Sequence, residues 1–287
     1  MMKKLLITGS GGFLGSRAAA YFNGKYHLCT PKHREMDITD RKSVEKAFVT
    51  YKPDVVIHCA AISDVGRCEK EPEMSWNINV NGCINMAHWA EKIGAKCIIC
   101  SSDQVYFGSK AAGAHKEEEH LLPHNLYGRQ KLAAEEECLK VNPDCVLLRL
   151  SWMYDTKTVQ EGEHGDFMRT FLSKIGSEED LCYPIWDVRG ISNVNEVIQN
   201  LEATFGIAGG VYNFGSPNDR NMYETMKSVF ENLSLDLGRL KPNKQAFQDN
   251  PRNISMDQDK IRECGIVFSS TIENLTKHIG QMLKVQS

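Results

Sequence analysis

Gly9, Gly12 and Gly15 recur at every third position, directly behind the apolar run Lys4–Thr8 and at the head of a stretch with helical spacing. That arrangement predicts a strand, a turn too tight for side chains, and a helix from Gly12 to Phe22 packed close against the strand. The pattern then repeats with other residues. Tyr26–Cys29 reads as a second strand, and Asp40 caps a helix to about Tyr51. Val55–His58 is a third strand, Pro72 opens a long helix through Ile93, and Lys96–Ser101 is a fourth strand. After a polar loop ending near Pro123 come a helix at Tyr127–Val141 and a strand at Val146–Leu150.

Strands alternating with long helices form βαβ units around a parallel sheet. These strands are apolar throughout, as strands covered on both faces should be. The expected fold is therefore α/β: a Rossmann-type doubly wound parallel sheet in residues 1–152. Residues 153–287 break the rhythm. The segment 155–179 is polar and glycine-rich, with an apolar patch around Phe167–Leu172. A strand at Val211–Phe214 and helices at about Tyr223–Leu233 and Thr271–Leu283 follow. This part is expected to be mainly a smaller C-terminal α/β cap that binds substrate, with some segments returning to the first domain.

Composition narrows the partners. The 287 residues carry a net charge of −3, with 25% charged residues and no long run of one sign. No nucleic-acid footprint follows from that balance. No stretch approaches the ~18 apolar residues of a membrane span, and the opening Met-Met-Lys-Lys-Leu-Leu-Ile is too short to be a signal peptide. The chain is expected to be soluble and cytoplasmic, without membrane or nucleic-acid partners. Its ten cysteines lack framework spacing. Cys97 and Cys100 lie on a predicted strand and face opposite sides of it, so buried reduced thiols are expected there and no metal. His115, His120 and His124 fall in one polar loop and are read as solvated.

The glycine-rich turn also has a chemical meaning. Residues without side chains let the backbone approach a diphosphate, and the following helix directs N–H groups and a positive dipole end at it. Gly9, Gly12, Phe13, Leu14 and Gly15 form that expected cradle for a dinucleotide. Past the second strand, Lys32 and Arg34 precede Glu35. Cations there favour a ribose 2′-phosphate, hence NADP, with NAD as the alternative. Further on, Tyr127 and Lys131 are four residues apart, on one face of a helix. The ammonium is expected to lower the phenol from its free pKa of about 10 and make it an acid or base near neutrality. The two motifs together point to hydride transfer at a carbonyl or alcohol.

With these motifs stand Asp37-Ile-Thr-Asp40, Pro53-Asp54-Val-Val-Ile-His58 and Asn79-Val-Asn-Gly82. Together they resemble the extended short-chain dehydrogenase/reductases. Three stretches resemble the dTDP-4-dehydrorhamnose reductase group in particular: Ser101-Ser102-Asp103-Gln104-Val105-Tyr106, Pro123-His-Asn-Leu-Tyr127-Gly-Arg-Gln-Lys131 and Ser151-Trp152-Met-Tyr154. Pro251-Arg252-Asn253 is a fainter match. The resemblance implies a catalytic set of Ser102, Tyr127 and Lys131. Ser102 would bond the substrate oxygen, Tyr127 would exchange its proton, and Lys131 would bind the nicotinamide ribose. Asp37 and Ile38 would lie against adenine, Cys59, Ala60 and Ala61 would line the cofactor groove, and Asn79 would hold the helix behind it. Ser63, Ser102, Asp103, Gln104, Trp152 and Arg252 become candidate substrate residues, although Trp152 also suits a core position.

Sugar-nucleotide dehydratases of the same scaffold carry Asp-Glu where this chain has Asp103-Gln104. A glutamine amide does not titrate near neutrality, so one of their two acid/base groups is missing. The implied activity is reduction of a keto group on a nucleotide-linked sugar, in a protein that admits a homodimer. The other readings are an epimerase that retains NAD and a cofactor-binding regulatory subunit resembling that of methionine adenosyltransferase. The chain departs from the reductase group at Gly190-Ile-Ser-Asn193, which replaces a Pro-Thr pair, at Asn250, where an arginine is usual, and at Asp155, where a glycine is common.

Overall fold

A computed structural model describes residues 2–157, 166–177 and 179–286; most of the glycine-rich part of segment 155–179 thus lies outside the described residues. The chain forms two compact units. The first comprises Met1–Val105, Pro123–Arg149 and Ile198–Tyr212, and the second Tyr106–Leu122, Leu150–Val197 and Asn213–Ser287.

The first unit is built on the strands β1 (Lys4–Thr8), β2 (His27–Cys29), β3 (Val55–His58), β4 (Lys96–Ser102) and β5 (Val146–Leu150). The Gly210–Phe214 strand extends the sheet, whose order is Gly210–Phe214, β5, β4, β3, β1, β2. β1 pairs in parallel with both β2 and β3, and β3 with β4. The chain thus leaves β1 toward one edge and returns to build toward the other. Sheets of this kind bind ligands at the carboxyl ends of their strands where the order reverses, here between β1 and β3.

Helices α1 (Phe13–Phe22), α2 (Arg41–Tyr51), α3 (Val65–Lys70), α4 (Pro72–Trp76), α5 (Gly82–Ile93) and α6 (Leu126–Val141) complete this unit. Leu6, Val56, Cys97, Ile99 and Leu147 share a core with Val44 and Phe48 of α2, Met86 and Ala90 of α5, and Ala134 and Cys138 of α6. The intervening residues Leu5, Ile7, Val55, Ile57, Ile98 and Leu148 point the opposite way and are equally buried. On that side Phe22 of α1 packs on Phe205, with ring centroids 5.8 Å apart. The long helix expected from Pro72 to Ile93 carries a π-helical turn at Asn77–Asn81, an irregularity that marks functional sites. It is anchored by Asn79, whose Oδ1 accepts from the Ile62 N–H at 2.8 Å.

The second unit has its own core, including Tyr154, Phe167, Phe171, Ile191, Met226, Phe230 and Leu275. Three short parallel pairs join Trp152–Tyr154 to Ile191–Asn193, Leu181–Pro184 to Leu240–Asn243, and Asp187–Val188 to Arg252–Asn253. Helices Phe167–Ile175, Met222–Asn232 and Thr271–Gln286 pack around them. His115 corrects the expectation of a solvated loop. Its ring is fully buried, stacks on Tyr106 at 4.6 Å, and bonds Glu119 and the Asn253 carbonyl. His120 and His124 are exposed. Cys97 and Cys100 are buried thiols, whereas Cys182 and Cys264 are exposed. Among the described residues no helix is long and apolar enough to cross a membrane.

Candidate active site

The glycine-rich turn follows β1 directly. Gly9 has φ +66, and a Cβ there would stand 2.7 Å from the Ala60 nitrogen behind β3. A Cβ on Gly15 would stand 2.1 Å from the Gly9 carbonyl oxygen. Both positions therefore exclude side chains, whereas Gly11 faces open space. Gly12 is the N-cap of α1 and supplies no side-chain bond to the opening turn. The first-turn donors that a helix normally satisfies through its cap are left for an anion. This is the fit a dinucleotide diphosphate needs: a bare turn, close backbone and uncapped N–H groups of the turn that begins at Phe13 and Leu14.

The walls of the turn are polar and internally organised. Thr8 Oγ1 bonds His58 Nδ1 at 2.7 Å and accepts from the Ala60 N–H at 3.3 Å. His58 is buried, and burial together with the Lys131 charge lowers its pKa to about 3, so it is neutral. Asp37 Oδ1 accepts from both the N–H and hydroxyl of Thr39. Burial opposes its ionisation, but these bonds and nearby His33 hold the carboxyl below its ordinary value. Ile38 is buried beside it, Cys59, Ala60 and Ala61 are half-buried, and Ser63 is exposed. Lys32 and Arg34 are exposed, and neither has an ion-pair partner among the described residues.

Asn79 is an internal tie. Its side chain is fully buried and bonds protein at both ends, donating to the Ile62 carbonyl at 2.9 Å and to Gln130 Oε1 at 2.8 Å. It holds the post-β3 loop to α6.

Tyr127 and Lys131 lie on the buried face of α6, with 7% and 3% exposure. Asn125 caps this helix, its Oδ1 accepting from the Gly128 N–H at 2.6 Å. Lys131 Nζ donates to the Cys100 carbonyl on β4 at 2.8 Å and lies 5.7 Å from the centre of the Tyr127 ring. An ammonium has three donors, so two remain for other oxygens. Ser102 ends β4; its hydroxyl donates to Asp103 Oδ1 and accepts from the Gln104 N–H, and Ser102 stands close enough to Tyr127 to pull the phenol's pKa down. The catalytic candidates thus meet within one unit.

The direction of the tyrosine shift differs from the sequence expectation. Burial raises the Tyr127 pKa more than Lys131 and Ser102 lower it, so the phenol holds its proton through neutrality. Burial pulls Lys131 down, but the Tyr127 side chain and surrounding thiols outweigh it, and its pKa lies above the ordinary value. The i,i+4 spacing reveals the lysine but not the burial.

Asp103 and Gln104 occupy a 3-10 turn, Asp103–Tyr106, and both are buried. Gln104 Oε1 accepts from Asn125 Nδ2 at 3.0 Å. The Gln104 amide therefore orients the cap of α6. Trp152 and Arg252 belong to the second unit. Trp152 is 40% exposed, which excludes the core reading, and the Arg189 guanidinium stands 4.8 Å over its ring. Arg252 grips Asp187 bidentately at 2.7 and 2.6 Å, so its charge is already matched. Sequence reading missed Thr8, Gln130, Glu135 and Arg149. Glu135 carried the one available signal, because it continues the Tyr127–Lys131 spacing by another four residues.

A family model described as RmlD substrate binding domain matches residues 2–285. The spore coat polysaccharide biosynthesis protein SpsK of Bacillus subtilis is 26% identical over 92% of this chain and 93% of its own length. A dTDP-4-dehydrorhamnose reductase of Aggregatibacter actinomycetemcomitans is 26% identical over 97% of this chain and 98% of its own. Among solved structures, the dTDP-4-dehydrorhamnose reductase of Bacillus anthracis in complex with NADP superposes with a TM-score of 0.83 at 22% identity, covering 97% of this chain and 98% of that one. At that identity the likeness is one of fold.

Gln104 yields a stability test. Gln104→Leu removes the acceptor for Asn125 and is expected to cost about 1–2 kcal/mol in urea denaturation, while Gln104→Glu, which keeps an acceptor, should cost much less. Equal losses would show that the Asn125 contact does not support the helix.

Proposed function

The chain belongs to the RmlD substrate binding domain family, and we propose that it is an NADP-dependent reductase of a keto group on a nucleotide-linked sugar. The observation that carries this reading is a buried Tyr127 on one helix face with Lys131, whose ammonium is bonded to the strand that ends in Ser102. The names of the reductase relatives support the substrate class.

NADPH, when bound, supplies the hydride. The turn from Gly9 to Gly15 and the uncapped opening of α1 hold its diphosphate, and Asp37 and Ile38 flank the adenine. Lys32 and Arg34 meet the 2′-phosphate, and the free donors of Lys131 bind ribose hydroxyls. Ser102 orients the substrate carbonyl oxygen, and Tyr127 gives that oxygen its proton. The adjacent Lys131 charge stabilises the phenolate left behind. A reduction needs only this one donor, whereas elimination of water needs a second titrating group that Gln104 cannot provide. Asp103 and Ser63 are proposed to contact the sugar nucleotide, and the second unit is proposed to bind substrate. Arg252 acts there through Asp187. Ten free thiols fit a reducing cytoplasm, and we assign the protein to that compartment.

The direct test is turnover of a panel of 4-keto sugar nucleotides with NADPH or NADH, followed by loss of nicotinamide absorbance and by mass spectrometry of the product. Net NADPH oxidation with an alcohol product is expected, and Tyr127→Phe should retain cofactor binding but lose at least ~100-fold in kcat. Redox-neutral interconversion of sugars would indicate an epimerase instead, and a 4-keto-6-deoxy product from an unoxidised sugar nucleotide a dehydratase.

Cofactor choice has its own test. Replacing Lys32 and Arg34 together by alanine is expected to weaken NADPH binding about 10-fold or more and leave NADH nearly unchanged, measured by nicotinamide fluorescence. Equal weakening of both cofactors would remove the two cations from the 2′-phosphate site.

A further inference from the structure

The buried face of α6 continues beyond Lys131. One turn further on stands Glu135, 2% exposed. Its Oε1 accepts a hydrogen bond from the Ser101 hydroxyl of β4. Arg149 of β5 clasps the same carboxylate, Nε lying 3.1 Å from Oε1 and Nη2 2.6 Å from Oε2. Lys131 already holds the Cys100 carbonyl, and Cys100, Ser101 and Ser102 are consecutive. The helix bearing Tyr127 and Lys131 is therefore tied to the strand bearing Ser102 at two levels, one helical turn apart. A single tie lets a helix roll about the contact; two ties fix both its rotation and its axial position. Hydrogen bonds tolerate only a few tenths of an ångström of drift, so that register decides whether Ser102 and Tyr127 address the same oxygen.

We infer that Glu135 and Ser101 are positioning residues for the Tyr127–Ser102–Lys131 set, with Arg149 holding the Glu135 carboxylate in place. The kinetic part of this inference rests on the reductase reading; the spectroscopic part does not.

Glu135→Gln alone would leave Arg149 buried without its counter-charge and risks unfolding. Two other variants avoid that. Ser101→Ala cuts the tie and keeps the ion pair. The double variant Glu135→Met with Arg149→Met replaces the pair by apolar chains of similar length, an exchange that folded proteins tolerate. Ser101→Thr restores the hydroxyl.

The first readout is the ionisation of Tyr127 in the unliganded protein, by ultraviolet difference titration against the matching Tyr127→Phe protein. In Ser101→Ala and in the double variant the titration should move upward by about half a pH unit or more, because the lysine is no longer braced beside the phenol. Ser101→Thr should titrate like the parent. The second readout is kcat for ketone reduction, expected to fall about 10-fold in both variants with the NADPH KM unchanged. Folded variants that keep the parental Tyr127 titration overturn the inference. A parent that reduces no ketone overturns the reductase reading instead, and the titration still decides this one.

Discussion

Lys131 carries its charge where water barely reaches. Moving an ammonium out of water costs several kcal/mol, and its single bond to the Cys100 carbonyl recovers about 1.5–3 kcal/mol. Much of the surrounding unit is arranged around that imbalance. His58, within reach of the charge, is neutral because burial and the lysine both oppose its protonation. Tyr127 holds its proton because burial outweighs the attraction of the ammonium. The nearest full negative charge on the same helix face, Glu135, is matched by Arg149 and does not neutralise the lysine. The charge is thereby left unneutralised, with one of its three donors bonded to the Cys100 carbonyl.

The second constraint is the crossing at β1 and β3. The two strands are neighbours although the chain between them builds β2 and α2 on the far side. Their carboxyl ends therefore lie together, and the Gly9 backbone comes so close to Ala60 that no side chain fits. Placing the turn there leaves the uncapped start of α1 beside the ends of β3 and β4. The residues proposed to react lie along β4 and α6, where Gln104 and Asn125 bind the turn after β4 to the helix cap. A dehydratase carboxylate in place of Gln104 would serve chemistry; here the amide serves the cap.

The first unit was largely legible in the sequence because its signals are local. The Gly9–Gly15 spacing, the Asp40 cap and the Val55–His58 run each sit within a few residues of what they determine. The Asp40 side chain does accept from the Lys42 N–H as a cap should. Burial was not legible in the same way. Tyr127 looked like a phenol lowered by its lysine, but its surroundings come from β4 and α3, distant in sequence. His115 looked solvated in a polar loop, yet its partner Asn253 lies 138 residues away. The short parallel pairs of the second unit were missed for the same reason: Leu181–Pro184 meets Leu240–Asn243, and neither segment is long enough to announce a strand alone.

The central claim is that Tyr127 enters the reaction protonated because burial overrides the lysine. It is tested most directly by the pH dependence of kcat for NADPH-driven reduction of a 4-keto sugar nucleotide. Since the phenol is raised above its ordinary value, the acid form persists through neutrality and is lost only at high pH. A level profile is expected through neutral and mildly alkaline pH, with a decline only beyond the ordinary tyrosine value of about 10. A decline with an apparent pKa of about 6–7, absent from Tyr127→Phe, would mean that the ammonium wins over burial and would contradict it.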